Sequence, residues 1–167
     1  MTQYEEYTNL LDDLQVQTIG CQLTEINNFF NRFHYEAEIT DYWKCPNEFL
    51  NDGCGDCDDF AIAKYYALQR LGFDQESLYL AYVHILRDGI KEAHMVLIYK
   101  HTQRLSVVLD NYNKKIHRLD NRKDFEIIYT FDNKYIYFKG QQIINNHNKW
   151  LDLQKRMITD DQENWIA

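Results

Sequence analysis

Apolar residues recur at helical spacing in the first third of the chain. The members of two stripes are Tyr4, Tyr7, Leu11 and Leu14, followed by Leu23, Ile26, Phe30 and Phe33. Intervals of three and four residues place side chains on one face of an α-helix. The sequence therefore predicts two N-terminal helices that pack into a core.

The pattern breaks at 41–56, DYWKCPNEFLNDGCGD, which we predict to be a loop. It holds the only proline, Pro46, and two of the six glycines. A helix should then begin abruptly, because Asp56 suits the N-cap and Cys57 becomes the first helical residue. Gly72 suits the position just after the end of this helix.

Beyond Gly72 the apolar period changes from 3.6 to 2, which is typical of β-strands. The predicted strands are 77–86, 94–100, 104–111, 126–131 and 134–139. A closing helix is predicted over 146–157, where Trp150, Leu153 and Met157 share one face. The elements follow in the order of helices, an antiparallel meander and a closing helix. This order indicates an α+β fold.

Length and charge limit the possible functions. A chain of 167 residues suits one domain, which we place at 1–167. The net charge of −8 repels phosphate backbones and favours a divalent cation over nucleic acid. No apolar run reaches the ~20 residues of a membrane span, so no membrane insertion is expected. The N-terminus has no signal-peptide pattern, which leaves both a cytoplasmic protein and a mature secreted chain open.

Cys57 is the candidate nucleophile. At a helix N-terminus, unpaired N–H groups and the helix dipole favour a thiolate and can hold an oxyanion. Asp56, Asp58 and Asp59 act in the opposite direction, because neighbouring negative charge raises the pKa of a thiol. The thiolate therefore needs a nearby cation, either an imidazolium or a metal ion.

His94 and Asp110 complete a possible triad. A hairpin closed by the three-residue loop 101–103 places His94 directly opposite Asp110 on one sheet face. A loop of two or four residues would instead turn Asp110 to the other face. In the first register, Cys57, His94 and Asp110 can act as nucleophile, general base and orienting carboxylate.

These residues resemble a known family. The segment 41–73, with its Gly-Asp-Cys core and Ala-Lys-Tyr helix, is similar to the signature of the bacterial transglutaminase-like cysteine proteinases. The sequences AHMVL at 93–97 and VLDN at 108–111 match the family's histidine and aspartate at His94 and Asp110. EINNFFN at 25–31 and KWLDLQKRM at 149–157 extend the resemblance over nearly the whole chain.

The resemblance implies a papain-like, transglutaminase-type core, with the Cys57 helix packed on the sheet that carries the other two triad residues. It implies calcium bound by Asp56, Asp58 and Asp59, although the family usually has glutamate where this chain has Asp58. It implies a periplasmic protease that cleaves the N-terminal region of a large cell-surface adhesin and so controls biofilm attachment. A membrane-bound cyclic-di-GMP receptor that sequesters the protease is implied as a second partner.

Several alternatives stay open from the residues alone. The same triad serves a transglutaminase-type acyltransferase, which joins glutamine to an amine. A non-catalytic metal-binding module would use the cysteines and His94 as zinc ligands, and a Cys54–Cys57 disulfide would block the nucleophile. The second oxyanion donor is equally open, with the Trp43 indole as one possibility.

Overall fold

Helices cover one face of an antiparallel sheet in the structure, a computed structural model that describes residues 1–40 and 42–166 and their side chains as far as residue 159. The described α-helices are α1 (Gln3–Leu14), α2 (Ile19–Asn31), α3 (Pro46–Asp52), α4 (Cys57–Arg70) and α5 (Asn148–Ile166). The strands are β1 (His34–Tyr35), β2 (Cys54–Gly55), β3 (Leu78–Arg87), β4 (Ile90–Lys100), β5 (Ser106–Leu109), β6 (His117–Arg118), β7 (Phe125–Phe131), β8 (Tyr135–Phe138) and β9 (Gln141–Ile144).

The two N-terminal helices are confirmed. Helix α1 follows Thr2, whose hydroxyl accepts a hydrogen bond from the Glu5 N–H at 3.1 Å, while the Glu5 carboxylate accepts from the Thr2 N–H at 2.7 Å. This reciprocal pair satisfies two N–H groups at the helix start. The two apolar stripes face the core. Their buried members are Tyr7, Leu11 and Leu14 in α1 and Leu23, Ile26 and Phe30 in α2.

The prediction of a loop over 41–56 is wrong in the middle of this range, where the structure has a helix. Position 41 lies outside the described residues. Helix α3 begins at Pro46, where the missing N–H breaks no helical hydrogen bond. It ends at Gly53, which has a φ of 71° in the left-handed region that glycine tolerates. Seven residues make only two turns, which are too few for an apolar period to show in the sequence.

The large sheet has the strand order β6-β5-β4-β3-β7-β8-β9, and its neighbours are antiparallel. Strand β3 is central, and two sets of successive strands extend from it in opposite directions. The predicted meander is therefore wrong at one connection, because β7 returns to pair with β3 instead of continuing from β6. Strands β6 and β9, absent from the prediction, have only two and four residues.

Both faces of the central strands are buried. The face toward α4 joins the main core through residues such as Leu80, Leu97 and Leu109. The opposite face is a smaller cluster, consisting of Ala81, Val83, Val96, Ile98 and Val108, with Tyr79, Leu119 and Phe125 packed against it. The predicted α+β class, with the Cys57 helix on an antiparallel sheet, is confirmed.

A small parallel pair fixes the approach to α4. Strand β1 pairs with β2, so that His34 lies opposite Cys54 and Tyr35 opposite Gly55. The Glu36 N–H also donates to the Gly55 carbonyl at 2.8 Å. This pairing brings the segment after α2 next to the residues that precede Cys57.

Within the described residues, no helix combines the length and the apolar character needed to cross a bilayer.

Candidate active site

Cys57 is the first residue of α4, as the sequence predicts. Asp56 is the N-cap in an extended conformation, and its backbone N–H donates to Asp59 Oδ2 at 3.0 Å. The first N–H groups of a helix have no partner within the helix. The thiol of Cys57 therefore lies beside donors that could stabilise negative charge on a bound carbonyl oxygen.

The surroundings of the Cys57 sulfur nevertheless favour the neutral thiol over the thiolate. Burial raises the pKa of the thiol far above its ordinary value, and the carboxylates of Asp58 and Asp56 raise it further. The backbone N–H of Met95 contacts the sulfur and acts in the opposite direction. Because Met95 directly follows His94, the thiol lies against the part of β4 that carries His94.

His94 and Asp110 form a buried hydrogen-bonded pair. His94 Nε2 lies 2.7 Å from Asp110 Oδ1, and the two residues are 3% and 1% exposed. The predicted hydrogen bond is present, but the predicted direct opposition is wrong. Strands β4 and β5 pair Lys100 with Ser106 and Leu97 with Leu109. The connection is thus two residues longer than predicted, and an even shift keeps both side chains on one face.

Asp110 is held by three donors. Besides His94, the Tyr112 N–H donates to Oδ1 at 2.9 Å and Arg122 Nη2 donates to Oδ2 at 2.9 Å. Burial alone would raise the pKa of Asp110, but these hydrogen bonds and the nearby positive charge lower it to about 2. The carboxylate therefore stays ionised and can orient the imidazole through Nε2.

Three carboxylates form a second cluster beside the thiol. One oxygen each from Glu38, Asp56 and Asp59 lies within 4.8 Å of the others. Glu38 Oε2 and Asp56 Oδ1 are buried without a hydrogen-bond partner. Asp59 is fully buried, and burial followed by the charge of Asp56 raises its pKa well above the usual range. Such a group of hard oxygen atoms, two of them without a partner, fits Ca²⁺.

Asp58 has a different environment from its two neighbours. Its Oδ2 accepts from Trp43 Nε1 at 3.0 Å, and its Oδ1 accepts from the Cys57 thiol at 3.6 Å. Burial raises the pKa of Asp58 to about 6. Its role as a calcium ligand stays a prediction. The Trp43 N–H, considered above as an oxyanion donor, is engaged by this carboxylate.

Lys44 supplies positive charge at the edge of the acidic cluster. Its Nζ donates to the Cys54 carbonyl at 2.9 Å and lies 3.4 Å from Glu38 Oε1 and 3.2 Å from Asp52 Oδ2. These contacts neutralise one side of Glu38 and leave Oε2 unpaired. The lysine therefore compensates only part of the cluster's negative charge.

The cysteines do not form the zinc site considered above. None of the four cysteines forms a disulfide. The group with metal-ligating geometry in the described part of the chain consists of carboxylates and includes neither a cysteine nor His94. Zinc sites of the structural kind use sulfur and nitrogen ligands, so this donor set fits a harder cation.

Sequence reasoning missed Glu38, Lys44 and Arg122. Glu38 and Lys44 reach the site through the β1–β2 pairing and the loop before α3, where no periodic pattern exists. Arg122 follows a 3₁₀ turn at Leu119–Asn121. Only the requirement that a buried carboxylate and a buried acidic cluster have partners could have indicated such residues.

This chain resembles known proteins in both sequence and fold. The family model described as bacterial transglutaminase-like cysteine proteinase matches residues 11–157. The curated proteins contain no match to the chain.

Among solved structures, calcium-bound LapG from Legionella pneumophila is 34% identical, with a TM-score of 0.84 over 93% of this chain and 89% of LapG. EGTA-treated LapG from the same organism is also 34% identical, with a TM-score of 0.87 over 93% of this chain and 88% of LapG. The match is therefore close in both sequence and fold and covers nearly all of each chain. We conclude that this protein belongs to the bacterial transglutaminase-like cysteine proteinases.

Proposed function

We propose that this chain is a calcium-dependent cysteine endopeptidase that uses Cys57, His94 and Asp110. The observation that carries the proposal is the buried His94–Asp110 hydrogen bond of 2.7 Å, next in the chain to Met95, whose N–H contacts the sulfur of Cys57. We propose as substrate the N-terminal region of a large cell-surface adhesin, cleaved in the periplasm to control biofilm attachment. A membrane-bound cyclic-di-GMP receptor is the proposed partner that sequesters the protease.

The His94–Asp110 hydrogen bond supports a first proton transfer from Cys57 to His94. An ionised Asp110 accepts a hydrogen bond from the Nε2–H of His94, which leaves the Nδ1 lone pair to accept a proton. Nδ1 then takes the thiol proton of Cys57 as the sulfur attacks the scissile carbonyl carbon. The resulting imidazolium is stabilised by the adjacent carboxylate.

Acyl transfer follows from the same groups. N–H groups at the start of α4 can stabilise the oxyanion of the tetrahedral intermediate. The imidazolium of His94 returns its proton to the leaving amine, and a thioester on Cys57 remains. Water, deprotonated by His94, then attacks the thioester, which releases the new carboxyl terminus and restores the thiol.

Glu38, Asp56 and Asp59 are the residues proposed to hold calcium. Their two unpaired buried oxygen atoms and the raised pKa of Asp59 support a cation at this place. Bound calcium would supply positive charge beside a thiol whose pKa the surrounding carboxylates raise. The likeness to a calcium-bound LapG structure gives independent support.

Cleavage by variants at the two neighbouring cysteines tests the nucleophile. We expect Cys57→Ala to abolish cleavage of an adhesin N-terminal segment, because the attacking sulfur is lost, while the fold is retained. Cys54→Ser is the matched control, since Cys54 forms no disulfide and lies outside the proposed triad. The assay is gel analysis of the segment with and without calcium. Equal loss of activity in both variants would contradict the assignment.

The fate of the thioester distinguishes the acyltransferase alternative from the proposed hydrolase. The same reactions are run with a labelled primary amine and a glutamine-containing peptide. A hydrolase releases two fragments and incorporates little label, because water reaches the thioester. Calcium-dependent incorporation of the amine without cleavage would support the acyltransferase instead.

A further inference from the structure

Arg122 is the cation nearest to the proposed catalytic carboxylate. Its Nη2 donates to Asp110 Oδ2 at 2.9 Å, on the carboxylate oxygen that His94 does not use. Both side chains are nearly inaccessible, at 3% and 0% exposure. A charge-assisted hydrogen bond between buried groups is short, directional and costly to break.

Arg122 is itself fixed from the other side. Its Nε donates to Asp124 Oδ1 at 2.8 Å and its Nη2 to Asp124 Oδ2 at 2.9 Å, which forms a two-point fork. The guanidinium carbon lies 4.8 Å from the centroid of the Phe125 ring. Only a guanidinium has the planar set of donors that this geometry requires.

The surrounding segment is anchored to the sheet. Leu119 and Phe125 pack against the smaller core cluster, on the face opposite α4. Arg122 lies between these two anchors in the chain and points its guanidinium at Asp110. The segment therefore delivers a rigid cation to the face of the sheet that carries His94 and Asp110.

We propose that Arg122 is a positioning residue, which holds the Asp110 carboxylate in the orientation that places Oδ1 on the His94 imidazole. The functional unit is then a hydrogen-bonded series of four side chains, His94–Asp110–Arg122–Asp124, of which the first three are buried and Asp124 is partly exposed. The contribution of these four side chains to catalysis rests on the proposed function. The Tyr112 N–H binds the same oxygen as His94, so only Arg122 restrains Oδ2 among the described contacts.

The test compares Arg122→Gln, Arg122→Lys and Asp124→Asn with wild type. The control is Arg118→Gln, because Arg118 pairs with Asp120 at 3.7 Å and both side chains are mostly exposed. Two properties are measured on folded protein. One is the low-field proton NMR signal of the His94 N–H bound to Asp110, assigned by its loss in His94→Gln. The other is the separate change in kcat and KM for peptide cleavage.

We expect Arg122→Gln to weaken or remove the NMR signal and to lower kcat about 10- to 100-fold with little change in KM, because the loss lies in catalytic orientation. Arg122→Lys should recover part of both, since lysine restores the charge but not the fork. Arg118→Gln should match wild type. An unchanged signal and kcat in Arg122→Gln, with only a lower melting temperature, would show a purely structural role and overturn the proposal.

Two further outcomes are decisive. If wild type cleaves no adhesin segment, the proposed function fails, but the NMR comparison still decides whether Arg122 orients Asp110. If Arg122→Gln does not fold, Asp124→Asn is used, because it keeps the guanidinium and removes its charged support. A weaker signal in Asp124→Asn supports the proposal, and an unchanged one overturns it.

Discussion

Lys64 is a buried ammonium group connected to the proposed catalytic carboxylate residue. It is inaccessible to solvent, and its Nζ donates to Asn31 Oδ1 at 2.7 Å. Asn31 in turn donates through Nδ2 to the Asp110 carbonyl at 2.9 Å. Burial lowers the pKa of Lys64 to about 7, although the charge of Asp110 acts in the opposite direction. The residue therefore orders the backbone of Asp110 at a cost in stability.

This cost predicts a pH dependence. An unfolded lysine has a pKa of about 10.4, so between about pH 7 and 10 the unfolded chain binds a proton that the folded chain does not. Stability from this group therefore rises with pH across that range. Relative to wild type, Lys64→Met should gain stability near pH 7, and the gain should shrink by about 2–3 kcal/mol toward pH 9.5.

Urea unfolding of both proteins at several pH values measures this difference. The lost hydrogen bond to Asn31 adds a constant that does not change with pH, so the slope isolates the titration of Lys64. Lys155→Met is the control, since Lys155 is exposed on α5. A difference between Lys64→Met and wild type that stays constant with pH would contradict the prediction.

The proposed triad residues could be named from the sequence, but their partners could not. Cys57 followed from helix-start chemistry, and His94 and Asp110 followed from strand parity, which survives a change of two residues in loop length. Arg122 lies 12 residues beyond Asp110 in a segment with no period. Its position depends on tertiary packing, which local pattern does not encode.

At the scale of elements, the start of α4 concentrates negative charge around Gly55. A Cβ atom added at Gly55 would lie 2.7 Å from Asp59 Oδ2 and 2.9 Å from a Phe49 ring carbon. Glycine is therefore required for the close approach of β2 to α4. The sequence predicted the acidic cap at this helix but not the contribution of Glu38, because the short parallel pair that brings it there has only two residues per strand.

The cluster predicts stabilisation by calcium. Binding to the folded chain alone adds about 2.7 kcal/mol at a hundredfold excess over the dissociation constant, which raises Tm by about 5–10 °C in a chain of this size. Glu38→Gln and Asp56→Asn should reduce the shift, because each removes a charged ligand. Magnesium should shift Tm less, since it requires a smaller and more regular shell.

Differential scanning calorimetry of chelated protein with added Ca²⁺ or Mg²⁺ measures these shifts. Glu25→Gln is the control, because Glu25 is an exposed carboxylate on α2. It should respond to calcium as wild type does. If calcium leaves the Tm of wild type unchanged, the proposed site does not bind the ion.

In the whole molecule, α5 packs against the segment before α3 that reaches the candidate active site. Trp150 is fully buried, and its ring lies within 6.4 Å of Trp43 and 5.4 Å of Phe131. Arg156 donates to the Trp43 carbonyl at 2.8 Å and also binds Glu48. Trp43 then contacts Asp58 beside the thiol. The sequence predicted α5 and its apolar face, but the identity of the surface that it covers required the fold.

Loss of this packing should lower the stability of the fold. Trp150→Ala should lower the free energy of unfolding by about 3–5 kcal/mol, because it leaves a large cavity. Leu151→Ala on the same helix is the control, since Leu151 is 40% exposed. Chemical denaturation measures the free energy of unfolding of both variants, and equal stabilities would contradict this account of α5.

The neutral state of the Cys57 thiol has a consequence for chemical durability. Oxidation and disulfide exchange proceed through the thiolate. The pKa of Cys54 is also raised, mainly by its hydrogen bond to Glu36, so the surroundings disfavour the thiolate at both members of this C-x-x-C pair. The carboxylates that suppress nucleophilic attack thus also protect the sulfur in oxidising surroundings. In protein without the proposed calcium ion we therefore expect Cys57 to stay reduced, and binding of a cation there would favour both nucleophilic attack and oxidation at the same sulfur.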